Sequence, residues 1–238
     1  MRMTVVGCSG SAPGPDSAAS SYLIEKDGHR LLLDLGAGAA GPLQRYASAE
    51  DIGSVILSHA HSDHWSDVTQ LSYYRSKAIR DGSDCGPLRL FGPSNMNPVL
   101  TTNPDDFTAT VTRAGDLTLG PLRARMAQVQ HGDLECWATR IDDALCYTAD
   151  TEPCAAIEEL AAGCGVLLAE ASGFDADGPM RGHLTAGDAG RLAATAGAKL
   201  LILTHLRAWQ DHLRLLDEAA QLAGCPVILA NPGLRVAL

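Results

Sequence analysis

Four side chains that can bind a metal ion lie within six positions of the segment Ser58-His59-Ala60-His61-Ser62-Asp63-His64. They are the imidazoles of His59, His61 and His64 and the carboxylate of Asp63. Partly buried donors and acceptors at this density cost stability unless something binds them. Imidazole and carboxylate ligands without a cysteine suit zinc, manganese or iron. The segment therefore predicts a metal site.

Three further candidate ligands, His131, Asp150 and His205, each follow an apolar, partly β-branched run. Taken singly, each is more often a core or surface residue than a ligand. Their shared position after a predicted strand favours the ligand interpretation, because open α/β sheets place their sites at the carboxyl ends of strands. The short run 54–57 is also a predicted strand, so the cluster at 59–64 follows the carboxyl end of a strand as well.

The elements that must position these residues follow from apolar periodicity. One α/β domain over 1–238 is expected, strand-rich in its first half and alternating helix and strand in its second, without a linker or repeat. Strands are predicted at 3–8, 21–25, 30–35, 54–57, 88–91, 117–119, 122–129, 136–141, 145–148, 166–170, 199–203 and 227–229. Helices are predicted at about 41–47, 67–80, 154–162, 185–196 and 210–222.

The pattern His-x-His-x-Asp-His, followed by the later His, Asp and His, resembles the metallo-β-lactamase fold. The resemblance implies a four-layer αβ/βα sandwich with two divalent metal ions at one edge. Two such ions, about 3.5–4 Å apart, can share a water and make hydroxide at neutral pH. By the family pattern, His59, His61 and His131 hold the first ion, Asp63, His64 and His205 hold the second, and Asp150 bridges both.

Two further stretches resemble the ribonuclease Z-like and cyclic-nucleotide phosphodiesterase branch of this fold. Gly182-His183-Leu184-Thr185 matches an element whose His contacts phosphate and protonates the leaving oxygen, and Glu170 matches the residue that supports it. The resemblance also gives Asp63 a catalytic role in orienting the attacking water. The plainer interpretation of His183 is a residue flanking a helix, without chemistry.

The opening segments 5–11 and 16–22 and the stretch 204–209 look most similar to actinobacterial members of that branch. Arg207-Ala208 stands where those relatives commonly carry Pro-Pro, and segment 65–68 departs too. These departures concern the substrate rather than the metal site. The resemblance implies a di-metal hydrolase of phosphodiesters, with a small cyclic nucleotide as the first expected substrate.

Two alternatives to this function stay open. One is a metallo-hydrolase of a lactone or thioester in a biosynthetic pathway, and another is a metal-binding pseudoenzyme or sensing module. Ribonuclease Z itself is less favoured, because the 19 positions between His131 and Asp150 leave no room for a transfer-RNA arm. A dinucleotide site at Gly36-Ala37-Gly38-Ala39-Ala40-Gly41 is rejected, because the acidic residue expected about 20 positions on is absent. The family pattern instead gives Asp34 a role in supporting the metal loops.

The composition of the chain restricts the classes of partner that we expect it to bind. A net charge of −10 argues against a nucleic acid polymer, and no apolar run approaches the ~20 residues that span a membrane. The one basic cluster, Arg75, Lys77 and Arg80, is predicted to be a solvated helix face. Seven cysteines without a Cys-x-x-Cys pair predict reduced thiols and a cytoplasmic setting. A small-molecule substrate is expected, and relatives suggest a homodimer.

Overall fold

Two mixed β-sheets make up the centre of the protein in a computed structural model that describes residues 1–95 and 107–238. In the first sheet the strand order is β15-β1-β3-β4-β5-β6-β7, and β2 pairs with β1. Its strands are β1 (Arg2–Ser9), β2 (Ala18–Ala19), β3 (Ser21–Lys26), β4 (His29–Leu33), β5 (Ser54–Ile56), β6 (Leu88–Gly92), β7 (Phe107–Val111) and β15 (Arg235–Ala237).

The second sheet has the order β14-β13-β12-β11-β10-β9-β8. Strands β8 to β11 form an antiparallel meander, and β11 to β14 are parallel. The strands are β8 (Gly115–Leu119), β9 (Leu122–His131), β10 (Leu134–Ile141), β11 (Leu145–Tyr147), β12 (Val166–Glu170), β13 (Leu200–Thr204) and β14 (Val227–Leu229).

Six α-helices lie in the described part of the chain, with two short 3-10 helices at Ala49–Asp51 and Asp175–Asp177. In the second sheet a helix lies in each connection between parallel strands, as parallel pairing requires a crossover. The helices are α1 (Ala40–Leu43), α2 (Ser62–Trp65), α3 (Val68–Arg80), α4 (Ala155–Ala161), α5 (Ala186–Ala196) and α6 (His212–Ala220).

Side-chain alternation along the strands produces the layers. In β3, Ile24 packs into a core that it shares with residues of the second sheet such as Trp137. Its neighbour Leu23 points to the opposite face and packs in a second core with Leu43 of α1 and Leu71 of α3. Helices α4, α5 and α6 contact the second sheet. The predicted α/β sandwich of four layers is therefore confirmed.

Several predicted boundaries were wrong. Apolar periodicity did not predict β7 and β15. Both are short strands at the edges of the first sheet, with exposed residues and no clear apolar alternation. The helix predicted at 41–47 ends at Leu43, and α2 was not predicted because its four residues carry the metal motif rather than an apolar stripe. Within the described residues, no helix is both long and apolar enough to cross a bilayer.

The prediction of a solvated basic face on α3 was wrong for Arg75. Its side chain is buried, at 2% exposure, and its guanidinium donates to the backbone carbonyls of Ala49, Ile52, Cys85 and Gly86. A planar group with five donors can satisfy several loop carbonyls at once, as a lysine cannot. Arg75 therefore ties two loops to α3.

Candidate metal centre

All seven predicted ligands lie at one edge of the two sheets, in a loop, at strand ends or in the short helix α2. His59 and His61 lie in the loop after β5, and Asp63 and His64 lie in α2. His131 ends β9, Asp150 follows β11 and His205 follows β13. The fold thus brings together residues up to 146 positions apart along the chain, from 59 to 205.

The first group of ligands surrounds the ring of His61. Its Nδ1 lies 3.0 Å from Nε2 of His59 and 3.1 Å from Nε2 of His131. The Nδ1 atoms of the two outer rings are engaged elsewhere: His59 contacts Ser58 Oγ at 3.0 Å, and His131 donates to the Gly182 carbonyl at 2.6 Å. In a neutral ring, a proton on the outer Nδ1 leaves the inward-facing Nε2 free to bind a metal ion.

The second group consists of Asp63, His64 and His205. Nε2 of His205 lies 3.2 Å from Asp63 Oδ2, and Nε2 of His64 lies 3.6 Å from the same oxygen. Asp150 lies between the two groups, with its Oδ2 at 3.3 Å from His205 Nε2, 3.4 Å from His64 Nε2 and 3.7 Å from His59 Nε2. That position suits a bridging carboxylate.

Two buried atoms at this centre test whether the residues fit metal ions. His64 Nε2 and Asp150 Oδ1 are buried and have no hydrogen-bond partner. Leaving such atoms unpaired costs about 1–3 kcal/mol each, and a bound cation would satisfy both. The imidazole and carboxylate donors suit a transition metal. The chain therefore fits the ions that the sequence predicts, although the role of each residue as a ligand stays a prediction.

The pKa values of Asp150 and His59 are shifted in the direction that metal binding needs, whereas that of His64 is shifted the other way. Burial would lower the pKa of His64, but the charges of Asp150 and Asp34 raise it well above its usual value. Burial would raise the pKa of Asp150, but the neighbouring His205 and His64 hold it well below its usual range. Burial lowers the pKa of His59, which keeps that ring neutral. Ligands already in these protonation states bind a cation without first losing a proton.

Asp34 fixes the orientation of the second group from behind. It is fully buried, and its Oδ2 accepts from Ser58 Oγ at 2.8 Å, from Tyr147 Oη at 2.7 Å and from His64 Nδ1 at 2.7 Å. Its Oδ1 accepts from the Ser58 amide at 2.7 Å. A carboxylate behind a ligating histidine sets its tautomer and raises its basicity. The supporting role predicted for Asp34 agrees with this geometry.

His183 and Glu170 form a pair beside the metal groups. Nδ1 of His183 lies 2.9 Å from Glu170 Oε2, and Glu170 is itself held by the Thr151 amide at 2.7 Å and the Ser172 hydroxyl at 2.6 Å. Burial would lower the pKa of His183, but the hydrogen bond and charge of Glu170 raise it above its ordinary value. Because Nδ1 faces Glu170, the other nitrogen of the ring is not engaged by that carboxylate.

An open pocket of about 280 Å³ joins these groups. It is polar, and a molecule entering it would meet candidate ligands and the His183 ring together. Its lining consists of Ser11, His61, Ser62, Asp63, Asp150, His183 and His205.

Backbone strain is concentrated at the same edge. Ser11, Asp34, Ala149 and His205 all have φ between 53° and 64°, a region in which a residue other than glycine costs about 1–2 kcal/mol. Three of them follow the ends of β4, β11 and β13 and turn the chain across the site. Strain of this kind persists only where the surrounding structure imposes it.

The glycine-rich segment after β4 serves packing at this edge. A Cβ on Gly36 would lie 1.8 Å from the carbonyl oxygen of Asp63. Gly36 therefore lets α2, with two predicted ligands, approach the first sheet. This contact explains why a glycine stands first in the segment, and a bound dinucleotide is not needed to explain it.

Sequence reasoning missed several polar residues that orient the site. Ser58, Tyr147 and Ser172 donate to Asp34 or Glu170, and the Gly182 carbonyl holds His131. A single serine or tyrosine carries no spacing signal. Their position within three residues of a predicted site residue was the only available indication.

Comparison with known proteins places the chain in a family. The family model described as "Beta-lactamase superfamily domain" matches residues 29–206. An uncharacterised protein of Mycobacterium tuberculosis is 35% identical over 238 residues, covering 92% of this chain and 85% of that protein. Ribonuclease Z of Thermobifida fusca is 26% identical over 305 residues, covering 100% of this chain and 94% of that enzyme.

The probable metallo-hydrolase YhfI of Bacillus subtilis is 30% identical over 240 residues, covering 98% of both chains. Its crystal structure superimposes with a TM-score of 0.92 and covers 99% of this chain and 98% of that one. The resemblance inferred from the histidine and aspartate motifs, including that to the ribonuclease Z-like branch, is thereby confirmed. By motif, fold and family match, the chain belongs to the beta-lactamase superfamily.

Proposed function

We propose that this protein is a metal-dependent hydrolase of small phosphodiesters. The observation that carries the proposal is the His183–Glu170 pair, which lies at the same pocket as both groups of predicted ligands. A phosphodiester needs both an activated nucleophile and a proton for the departing oxygen. The similarity to YhfI and to a ribonuclease Z supports hydrolysis at this coarse level.

Two divalent ions held by these ligands would supply an activated water and neutralise charge on the phosphate oxygens. Zinc is the first expectation, and manganese and iron suit the same donors. Asp63 is proposed to orient the attacking water while it acts as a ligand. Its Oδ2 is fixed by the Ser11 amide at 2.8 Å, so the carboxylate presents one defined edge to the pocket.

His183 is proposed to protonate the leaving oxygen. Glu170 holds Nδ1 and favours the charged ring, so that the proton on Nε2 is available to a leaving group in the pocket. Ser172 and Thr151 keep Glu170 in place from the other side. This arrangement gives an alkoxide, which is a poor leaving group, the proton that it needs.

The substrate is proposed to be small, with a cyclic nucleotide as the first candidate. Residues 132–149 are used by β10, β11 and their turns, so no arm for a large RNA lies between His131 and Asp150. The pocket volume of about 280 Å³ suits a small molecule.

The proposal is tested with His183→Ala in the metal-loaded protein. We expect kcat to fall by about 10²- to 10⁴-fold on a ribose ester and much less on bis-p-nitrophenyl phosphate, since p-nitrophenolate leaves without a proton. Metal content should stay unchanged. His29→Ala, at the start of β4 and away from the pocket, is the matched control.

An equal loss on both substrates would mean that His183 binds phosphate instead. A loss of metal would make His183 a ligand, since its nitrogen lies close enough to Asp150, Glu170 and His205 to share an ion. Turnover of a lactone or thioester, without turnover of any phosphodiester, would overturn the proposal in favour of carbonyl chemistry.

A further inference from the structure

Arg207 lies in the segment after His205 and is joined to the predicted proton donor through a single residue. Its Nη1 donates to the Ser172 carbonyl at 3.1 Å. The hydroxyl of the same Ser172 donates to Glu170 at 2.6 Å and lies 3.4 Å from His183 Nδ1. The guanidinium is therefore held close to the His183–Glu170 pair by a neutral carbonyl.

The guanidinium is not neutralised by the protein. In the described part of the chain, Arg207 makes no ion pair with a carboxylate: its Nη1 is bonded to a carbonyl, and its Nε is buried without a hydrogen-bond partner. By contrast, Arg181, two positions before His183, pairs with Asp133. A buried guanidinium donor left unpaired is costly, and an anion is the partner that its planar fork fits best.

Gln210, three positions after Arg207, binds the same carbonyl of Ser172. Its Nε2 donates to the Ser172 carbonyl at 2.7 Å, while its buried Oε1 has no partner. His212 contacts the Arg207 carbonyl at 2.8 Å and holds the backbone of the segment. Arg207 is thus anchored through Nη1, and Nη2, which has no hydrogen-bond partner among the described residues and is not enclosed as Nε is, is the donor left for a ligand.

We propose that Arg207 binds a second anionic group, a phosphate or carboxylate, carried by the leaving fragment of the phosphodiester. The assignment to the leaving side rests on the proposed function, in which His183 protonates the leaving oxygen. Arg207 lies outside the seven residues that line the pocket and is connected through Ser172 to His183, which is one of them. The preferred substrate then carries one negative charge at the scissile phosphorus and another beyond the leaving oxygen, so that a cyclic nucleotide fits Arg207 only when it bears a further phosphate or carboxylate.

The test compares two aryl methyl phosphodiesters whose leaving phenol bears a para-carboxylate or a para-carboxamide. The two leaving groups have nearly the same shape and differ by one charge. The metal-loaded wild type should show the lower KM for the carboxylate. In Arg207→Gln the ratio of kcat/KM for carboxylate over carboxamide should fall by about tenfold or more, mainly through KM, as for a charge-assisted hydrogen bond.

The two phenols differ in their intrinsic ability to leave, but this difference is the same for the wild type and for Arg207→Gln. Comparing the carboxylate-to-carboxamide ratio of kcat/KM between the two proteins therefore cancels it. Arg207→Lys keeps the charge and should retain part of the preference. Arg125→Gln, an equal loss of charge at an exposed arginine of β9 that pairs with Asp116, is the matched control and should leave the ratio unchanged. Calorimetric titration with the two non-hydrolysable phosphonates gives the same comparison without turnover.

A ratio that is the same in wild type and Arg207→Gln, by kinetics and by calorimetry, would overturn the proposal. Hydrolysis of both diesters with that result would leave the phosphodiesterase function standing and remove only the role of Arg207. Hydrolysis of neither diester by the wild type would instead contradict the proposed function itself, and with it the assignment of Arg207 to a leaving fragment.

Discussion

At the scale of single residues, the site depends on buried polar groups behind the predicted ligands. Asp34 accepts four hydrogen bonds with its two oxygens, from the amide and hydroxyl of Ser58, from Tyr147 and from His64. A buried carboxylate such as Asp34 influences metal binding by orienting a predicted ligand, here His64. Its removal should therefore alter metal binding as well as stability.

We predict that Asp34→Asn loses metal affinity by about 10- to 100-fold and destabilises the protein by about 3 kcal/mol or more. The amide turns a donor toward Ser58, Tyr147 or His64, all of which donate. Urea unfolding and competition with a chromophoric chelator measure the two effects. Tyr147→Phe, which removes one donor only, should cost about 1–2 kcal/mol. Equal effects of the two changes would contradict the central place given to Asp34.

Asp150→Ala should lose metal from both positions, because Asp150 Oδ2 lies within 3.7 Å of nitrogens from both ligand groups. The measurement is elemental analysis of the purified protein, for which we expect about two transition-metal ions per wild-type chain. A variant that keeps two ions and full activity would show that the carboxylate does not bridge.

At the scale of elements, strand ends and short loops determine where the chemistry lies. The sequence placed the predicted ligands near one another because His131, Asp150 and His205 follow recognisable apolar strands, and their role as ligands stays a prediction. The roles of Ser172 and of the Gly182 carbonyl could not be predicted from sequence, because their contacts depend on how two loops fold against each other. Sequence reasoning also misplaced Arg75, since a basic residue between polar neighbours in a helix has the pattern of a solvated face.

The burial of Arg75 gives a prediction about α3. Arg75→Leu should destabilise the protein by about 3–5 kcal/mol, because it leaves carbonyls of Ala49, Ile52, Cys85 and Gly86 without their donor. Lys77→Gln, on the same helix but exposed and paired with Asp81, should change stability by less than about 1 kcal/mol. Chemical denaturation measures both; similar costs would mean that the carbonyls find water instead.

At the scale of the whole molecule, the predicted ligands come from both sheets. His59, His61, Asp63 and His64 belong to connections of the first sheet, and His131, Asp150 and His205 to the second. Bound ions would therefore link the two halves of the sandwich. Binding to the folded state only adds about 4 kcal/mol when the ion is present at a thousand times its Kd.

Removing metal by chelation should accordingly lower the thermal midpoint of the wild type by several degrees, an effect to be followed by scanning calorimetry. The same chelator should have little effect on Asp150→Ala, which is expected to be purified without its metal. An unchanged midpoint in the wild type would show that the ligands are held in place by the protein alone.

The overall charge and the missing arm lead to a prediction about partners. With a net charge of −10, the protein should not bind precursor transfer RNA at physiological salt, while it hydrolyses small diesters. Filter binding and a processing assay beside the T. fusca enzyme are the measurements. Efficient trimming of transfer RNA 3′ ends, without activity on small diesters, would reverse the order of these two substrates.

The left-handed turn at Ala149 sets a limit on how this protein could evolve. Ala149 has a φ of 53° and directly precedes Asp150, and a glycine or asparagine would hold that angle at a lower energy. Selection of variants for heat resistance alone should therefore collect Gly or Asn at 149. Selection that also demands turnover should reject glycine there, since the added backbone freedom would loosen the one carboxylate that both ligand groups share.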